Sequence, residues 1–115
     1  MKILSWNVRG LNASDKRSRI KNRLDSSFWD IVLLQETKLS LDNFSATLGK
    51  WTSWKHSFLP SNGASGGLAT LWKGKSVSIF PLQSGTNWKL LSVKHFSLNF
   101  FLINLYGPTT LPTKF

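Results

Sequence analysis

The chain has 115 residues, which is room for one domain, and 41% of them are hydrophobic, enough to form a core. It contains no cysteine, so disulfide bonds and thiolate metal sites are excluded, as is usual for proteins of a reducing compartment. No apolar run is long enough to cross a membrane, and the N-terminus does not resemble a signal peptide. We therefore expect an intracellular protein of the nucleus or cytoplasm that is not secreted and has no membrane partner.

The charge is strongly positive and unevenly distributed. Fifteen Lys and Arg residues against five acids give a net charge of +10, which favours a polyanionic partner such as nucleic acid. The last acid is Asp42, so residues 43–115 contain no side-chain carboxylate. Chemistry that needs two carboxylates would have to use the residues up to Asp42 or residues outside this chain.

The N-terminal third has the pattern of a strand, a helix and a second strand. Residues 2–8 alternate as in a strand, residues 14–27 carry apolar side chains at helical spacing, and residues 30–36 form the apolar run of a buried strand. This order predicts a right-handed crossover between two parallel strands. Such a crossover would bring Asn7 and Glu36 to the same edge of a sheet.

From Trp51 onward the pattern changes from helical to strand-like. A weaker helical pattern covers residues 39–50, and five short apolar segments then follow, separated by turn-forming clusters. We interpret these segments as a meander whose last strand, within residues 98–106, is central in its sheet. Four aromatic residues follow the strand pattern of core positions, namely Trp6, Phe80, Phe100 and Phe101.

Few residues offer catalytic chemistry, and each has a structural alternative. Glu36 is the only glutamate and could supply part of a Mg²⁺ site, since this ion needs only one or two protein carboxylates, or it could be a solvated strand-end residue. Asn7 could hydrogen-bond a phosphate or form a turn. The basic helix could contact phosphates or be solvated. His56 and His95 have no cysteine or acid nearby in sequence, so we interpret both as structural.

Four strings occur in order along nearly the whole chain, SWNVRGLN (5–12), DIVLLQETK (30–38), SGGLATLW (65–72) and INLYGP (103–108). Together they resemble the motifs of the endonuclease/exonuclease/phosphatase superfamily. More narrowly, they look like the endonuclease of plant LINE-type retrotransposon polyproteins. The resemblance implies an α/β fold, a four-layer sandwich of two packed β-sheets flanked by helices. It also implies hydrolysis of DNA phosphodiesters with Mg²⁺, or alternatively Mn²⁺, as cofactor.

The resemblance also implies roles for individual residues. Glu36 matches the metal-binding glutamate, Asn7 the asparagine of the metal and phosphate site, and Tyr106 the tyrosine that contacts phosphate. The expected nucleic-acid contacts are Arg9, Lys16, Arg17 and Lys38. Arg9 stands where relatives that act on abasic DNA often carry an acid, which argues against that substrate.

The later motifs of the superfamily, an Asp-x-Asn pair and an Asp-His pair that activates water, are not found up to Phe115. We therefore expect residues 1–115 to be about the first half of the domain and inactive alone. The expected partners are DNA, the remainder of the nuclease domain and, if the gene continues, a reverse transcriptase. The alternatives are a non-catalytic basic nucleic-acid-binding fragment and a phosphatase that acts on phosphomonoesters. Oligomeric state and DNA site preference stay open.

Overall fold

The computed structural model describes residues 1–75 and 77–107, and these contain seven strands, two α-helices and one 3₁₀ turn. In chain order they are β1 (Ile3–Asn7), α1 (Ser14–Asp25), β2 (Ile31–Gln35), α2 (Leu41–Ala46), the 3₁₀ turn (Leu48–Lys50), β3 (Lys55–Leu59), β4 (Leu68–Trp72), β5 (Val77–Ser84), β6 (Trp88–His95) and β7 (Leu98–Leu105). Neither α-helix of the described ranges has the length and apolar character needed to span a bilayer.

The first sheet has the strand order β1-β2-β4-β3 and contains the predicted crossover. Strands β1 and β2 are parallel and are connected by α1, while β4 pairs antiparallel with both β2 and β3. The register places Asn7 opposite Gln35, the residue before Glu36. The two strands therefore end at the same edge of the sheet, as the sequence pattern predicts.

The second sheet is an antiparallel meander with the order β5-β6-β7. The five segments after Trp51 therefore do not form one meander, because β3 and β4 belong to the first sheet. Within the described residues β7 lies at the edge of its sheet and is not a central strand. Its nearly continuous apolar run arises because both of its faces carry apolar side chains.

Strand β2 is buried on both faces and separates two hydrophobic cores. Val32 and Leu34 face the helices, where they pack with Ile20 and Leu24 of α1. Ile31 and Leu33 face the second sheet, where the core also contains Val77, Ile79, Leu91 and Val93. Complete burial of one such aliphatic side chain contributes about 1.5–3 kcal/mol. Two-sided burial explains why the sequence of this strand shows no polar alternation.

One face of the second sheet packs on the first sheet, and the other is open to solvent. The open side, here called the outer face, carries Phe80 and Leu82 on β5 and Phe101, Ile103 and Leu105 on β7. Phe80 is 65% exposed and Phe101 is 72% exposed, so the prediction that both belong to the core is wrong. Their strand alternation is correct, but no layer of the described residues covers the face to which they belong.

The α/β class with two packed sheets is confirmed. In the described part of the chain the layers run from the helices through the first sheet to the second sheet. The helix predicted over residues 39–50 is shorter than expected, since α2 ends at Ala46 and a 3₁₀ turn follows. Ser40 caps α2 by accepting a hydrogen bond from the amide of Asn43 at 3.2 Å.

Candidate active site

The loops that follow β1 and β2 run side by side beyond the edge of the first sheet. Three amides of the first loop donate to three carbonyls of the second, Val8 to Gln35 at 3.0 Å, Gly10 to Glu36 at 2.7 Å and Leu11 to Thr37 at 2.9 Å. These bonds continue the pairing of the two strands past the point where the strands end. Asn7 and Glu36 are thereby held on neighbouring chains at one edge.

The backbone at this edge is strained at three positions. Arg9, Glu36 and Lys38 have φ angles of 52°, 58° and 57°, and among the described non-glycine residues only Phe96 shares this left-handed conformation. Such a conformation costs a non-glycine residue on the order of 1–3 kcal/mol and persists only where surrounding contacts enforce it. Concentration of strain at the ends of β1 and β2 is typical of a functional site.

The side chains of Asn7 and Glu36 offer oxygen ligands. The Asn7 Oδ1 atom accepts a hydrogen bond from the Arg9 amide at 3.1 Å, which leaves it a second lone pair and leaves the amide NH₂ group available as a donor. The Glu36 side chain is partly exposed, and no salt bridge within the described ranges involves it. Carboxylate and amide oxygens are the donors that a hard divalent cation prefers.

A glycine pair from the β3–β4 connection supports the loop after β2. Thr37 and Lys38 donate their amides to the carbonyls of Gly67 at 3.1 Å and Gly66 at 2.8 Å. Gly67 has a φ of 93°, and a Cβ atom at this position would overlap the Thr37 hydroxyl. The sequence SNGASGG is therefore a hairpin connection, as expected, and its second glycine allows the close approach that fixes the backbone beside Glu36.

A buried polar network ties the end of β7 to the end of β2. The Gln35 side-chain amide donates to Asn104 Oδ1 at 3.0 Å, and Asn104 donates to the Ala69 carbonyl and the Thr70 hydroxyl, both at 3.2 Å. Asn104 is completely buried. Tyr106, two residues later, is fixed through its backbone, whose amide donates to the Asn87 carbonyl at 2.9 Å.

Sequence reasoning did not assign Gln35 or Asn104 a role in the site. Each of them is a polar side chain inside an otherwise apolar strand, and this pattern was visible in the sequence. Burial of an unpaired amide is costly, so a buried amide side chain indicates a specific hydrogen-bond partner. Both residues lie within the strings that carry the family resemblance. Their contact brings the strand that precedes Tyr106 against the strand that precedes Glu36.

The four basic residues predicted to contact nucleic acid divide into two pairs. Lys16 Nζ donates to the Arg9 carbonyl at 3.0 Å, and the Arg17 guanidinium donates to two consecutive loop carbonyls at 2.9 and 2.6 Å. These two side chains hold the loop after β1 in place. The Arg9 and Lys38 side chains make no such bond within residues 1–75 and 77–107, and Arg9 is exposed to solvent.

The profile of the Endonuclease/Exonuclease/phosphatase family matches residues 4–107. The chain belongs to this family. Among curated members, it is 39% identical over 79 residues to the DNA-(apurinic or apyrimidinic site) endonuclease 2 of Xenopus laevis, an alignment that covers 66% of this chain and 15% of that protein.

Three solved structures share this fold. The catalytic domain of Xenopus laevis APE2 matches 99% of this chain with a TM-score of 0.71 and 22% identity. The endonuclease domain of TRAS1, a telomere-specific non-LTR retrotransposon, matches 96% with a TM-score of 0.65 and 12% identity. The D. rerio TDP2 complex with a single-stranded DNA product matches 88% with a TM-score of 0.63 and 21% identity. The chain covers 47%, 47% and 43% of these three structures, or about half of each.

Proposed function

We propose that residues 1–115 form the first half of a divalent-metal-dependent DNA endonuclease. One observation carries the proposal: Asn7 is the last residue of β1 and Glu36 directly follows β2, so both lie where these parallel strands end, on backbone that is strained around Glu36. The Gln35–Asn104 bond brings the strand that leads to Tyr106 against this edge. The similarity to a DNA-(apurinic or apyrimidinic site) endonuclease and to the endonuclease domain of a retrotransposon supports DNA as the substrate.

Each residue has a role that its chemistry allows. The Glu36 carboxylate and the Asn7 amide oxygen suit Mg²⁺ or Mn²⁺, because both are hard oxygen donors and such an ion takes its remaining ligands from water and substrate phosphate. When bound, the ion would supply charge stabilisation at the scissile phosphate. The Asn7 NH₂ group and the Tyr106 hydroxyl would orient the phosphate oxygens by donating hydrogen bonds. Arg9 and Lys38 would contact the flanking backbone of the DNA.

None of the residues to which a role is assigned above is a general base. We propose that a histidine in the other half of the domain activates the attacking water, so residues 1–115 alone do not cleave DNA. We further propose a LINE-type retrotransposon origin, as in plants, with a reverse transcriptase following the nuclease. The fold similarity to the TRAS1 endonuclease is compatible with that origin.

Nicking of supercoiled plasmid in the presence of Mg²⁺ tests the proposal. We expect no nicking by residues 1–115 and measurable nicking by a polypeptide extended to the full length of the domain. In the extended enzyme, Glu36→Ala, Asn7→Ala and Tyr106→Phe should each slow the reaction, whereas Asp42→Ala, an exposed acid on α2, should not. General base catalysis contributes about 100-fold to 10,000-fold, so the contrast in rate is measurable.

Three results would contradict the proposal. Nicking by residues 1–115 that Glu36→Ala abolishes would show that the base lies within this half. An extended polypeptide that binds DNA without cleaving it would favour the non-catalytic binding protein. Release of phosphate from a phosphomonoester without nicking would instead favour the phosphatase.

A further inference from the structure

A groove runs along the free edge of the first sheet, on the side of β1 that has no neighbouring strand in the described residues. It consists of two adjoining cavities of about 320 and 290 Å³, both of which are lined by Trp6 and Arg23. One cavity extends past Leu4 to Trp29, and the other extends past Val8 to Lys16 and Arg19. We name this feature the edge groove. Of the residues named for the candidate active site, only Val8 and Lys16 line the edge groove.

The wall of the edge groove is a basic stripe of α1. Lys16, Arg19 and Arg23 follow one another at spacings of three and four residues, so they lie on one face of the helix about one turn, or 5.4 Å, apart. Lys16 is bonded to the loop after β1. Arg19 and Arg23 are exposed, and neither guanidinium has a salt bridge or hydrogen bond within the described ranges. Two cations are therefore available to a ligand in the groove.

The floor of the edge groove is aromatic. Trp6 and Trp29 are both half-buried, and each lines the cavity on the Trp29 side. The nearby acids are already engaged: Asp25 pairs with Lys21 at 2.7 Å, and Asp30 accepts a hydrogen bond from the Lys2 amide at 2.7 Å. Lys2 Nζ lies 5.2 Å from the centroid of the Trp29 ring and adds a further positive charge. Charge and ring surface thus occur together in one concave feature.

We propose that the edge groove binds single-stranded nucleic acid. A single strand presents both phosphates and unpaired base faces, and proteins achieve sequence-tolerant binding of single strands by combining a cationic track with aromatic rings. A duplex offers phosphates, but its bases are stacked and cannot reach the two tryptophans. The five residues from Leu4 to Val8 span about 13 Å of strand, room for about four stacked nucleotides.

The edge groove starts beside the candidate active site and leads away from it. Val8 lies in the groove and directly follows Asn7, while Lys16 touches both the groove and the Arg9 carbonyl. A strand that leaves the edge carrying Asn7 could continue along β1 towards Trp29. The proposal does not rest on catalysis, because binding to the groove requires neither Glu36 nor a metal ion.

Fluorescence anisotropy with the full 115-residue chain tests this, using a labelled 12-nucleotide single strand and the corresponding duplex in EDTA. The variant Arg19→Glu/Arg23→Glu is compared with Lys55→Glu/Lys94→Glu, which changes net charge equally at exposed positions outside the groove. We expect the groove variant to lose at least about ten-fold more affinity for the single strand than the control variant loses. Equal losses would show that net charge alone is responsible and would overturn the proposal.

A second comparison distinguishes binding that depends on base stacking from binding that depends on phosphates alone or on an anionic membrane surface. Trp29→Ala should weaken single-strand binding about ten-fold and leave duplex binding unchanged, since loss of one stacking ring has an effect of that size. Polyphosphate that competes as well as an oligonucleotide of equal charge would contradict the stacking role. Preferential binding to phosphatidylserine vesicles over the oligonucleotide would assign the groove to a membrane surface instead. Because no metal is present, these outcomes are independent of the nicking experiment.

Discussion

The side-chain amide of Gln35 donates a hydrogen bond of 3.0 Å to Asn104, and this bond joins the two sheets across an otherwise apolar interior. Gln35 also donates to the Ser5 hydroxyl at 3.0 Å, so one side chain connects β1, β2 and β7. Strand β1 ends at Asn7, while β2 and β7 end immediately before Glu36 and Tyr106, respectively. The polar contact therefore fixes the relative position of the three strand ends on which the proposed chemistry depends.

Loss of the Asn104 side chain should destabilise the protein. In Asn104→Ala the Gln35 amide loses one of its acceptors and the Thr70 hydroxyl loses the donor Asn104, and loss of a buried hydrogen-bond partner costs about 1–3 kcal/mol. We expect the free energy of unfolding to fall by about 3 kcal/mol in urea denaturation. Asn99→Ala, at an exposed position of the same strand, is the control and should change it by less than about 0.5 kcal/mol. Equal effects of the two variants would refute a structural role for the inter-sheet bond.

Gly67→Ala should be more damaging than Gly63→Ala. Both glycines have positive φ angles, so an alanine at either position carries the conformational penalty of roughly 1–2 kcal/mol. Only at Gly67 would the added Cβ meet another atom, the Thr37 hydroxyl, while Gly63 has open space around it. Thermal unfolding of both variants measures the difference. A Gly67→Ala protein as stable as Gly63→Ala would show that the close approach beside Thr37 is not required.

Binding of Mg²⁺ should be weak and should depend on Glu36. A single carboxylate with one amide oxygen cannot hold a strongly hydrated ion tightly, so we expect millimolar affinity by calorimetry and its loss in Glu36→Gln. Asp42→Asn removes one negative charge from an exposed position and should leave the binding unchanged. Retention of binding in Glu36→Gln would mean that this residue is only the end of a strand.

Binding to duplex DNA should depend steeply on salt and little on sequence. The expected contacts are Lys and Arg side chains on phosphates, and each contact releases condensed counterions. With about four such contacts, the affinity should fall about 100-fold between roughly 50 and 200 mM salt. Anisotropy titrations on two unrelated duplexes would measure this. Affinity that hardly changes with salt would remove the electrostatic basis of the interaction.

The outer face of the second sheet should promote self-association. A contiguous exposed apolar surface of this kind is usually an interface or an aggregation site. Phe101→Lys places a charge on this face, and we expect it to raise the concentration at which light scattering detects oligomers. Phe28→Lys adds the same charge at a residue that is 90% exposed and distant in sequence from the second sheet. If both variants raise this concentration equally, net charge and not the outer face controls association.

The sequence predicts the secondary-structure elements well, but it predicts less well which strands pair with one another. The parallel pair of β1 and β2 follows from local periodicity and the handedness of crossovers, so Asn7 and Glu36 were expected at one edge. The assignment of β3 and β4 to the first sheet depends on antiparallel pairing between β2 and β4, which are far apart in sequence. Periodicity carries no information about such pairing. For the same reason, alternation identified the two faces of β7 without showing that Phe101 faces solvent.

The two sheets differ in the sequence distance over which their strands pair, and this has a consequence for the order in which they form. His95 pairs with Leu98 across a tight turn, whereas Ile3 must find Ile31 and Ile31 must find Trp72. Closing short loops is faster than closing long ones, so the hairpins of β5, β6 and β7 should be complete while β1 is still unpaired. Pulse-labelled hydrogen exchange during refolding would then show early protection at Val93 and late protection at Leu4. The strand that carries Asn7 would accordingly be among the last to become ordered.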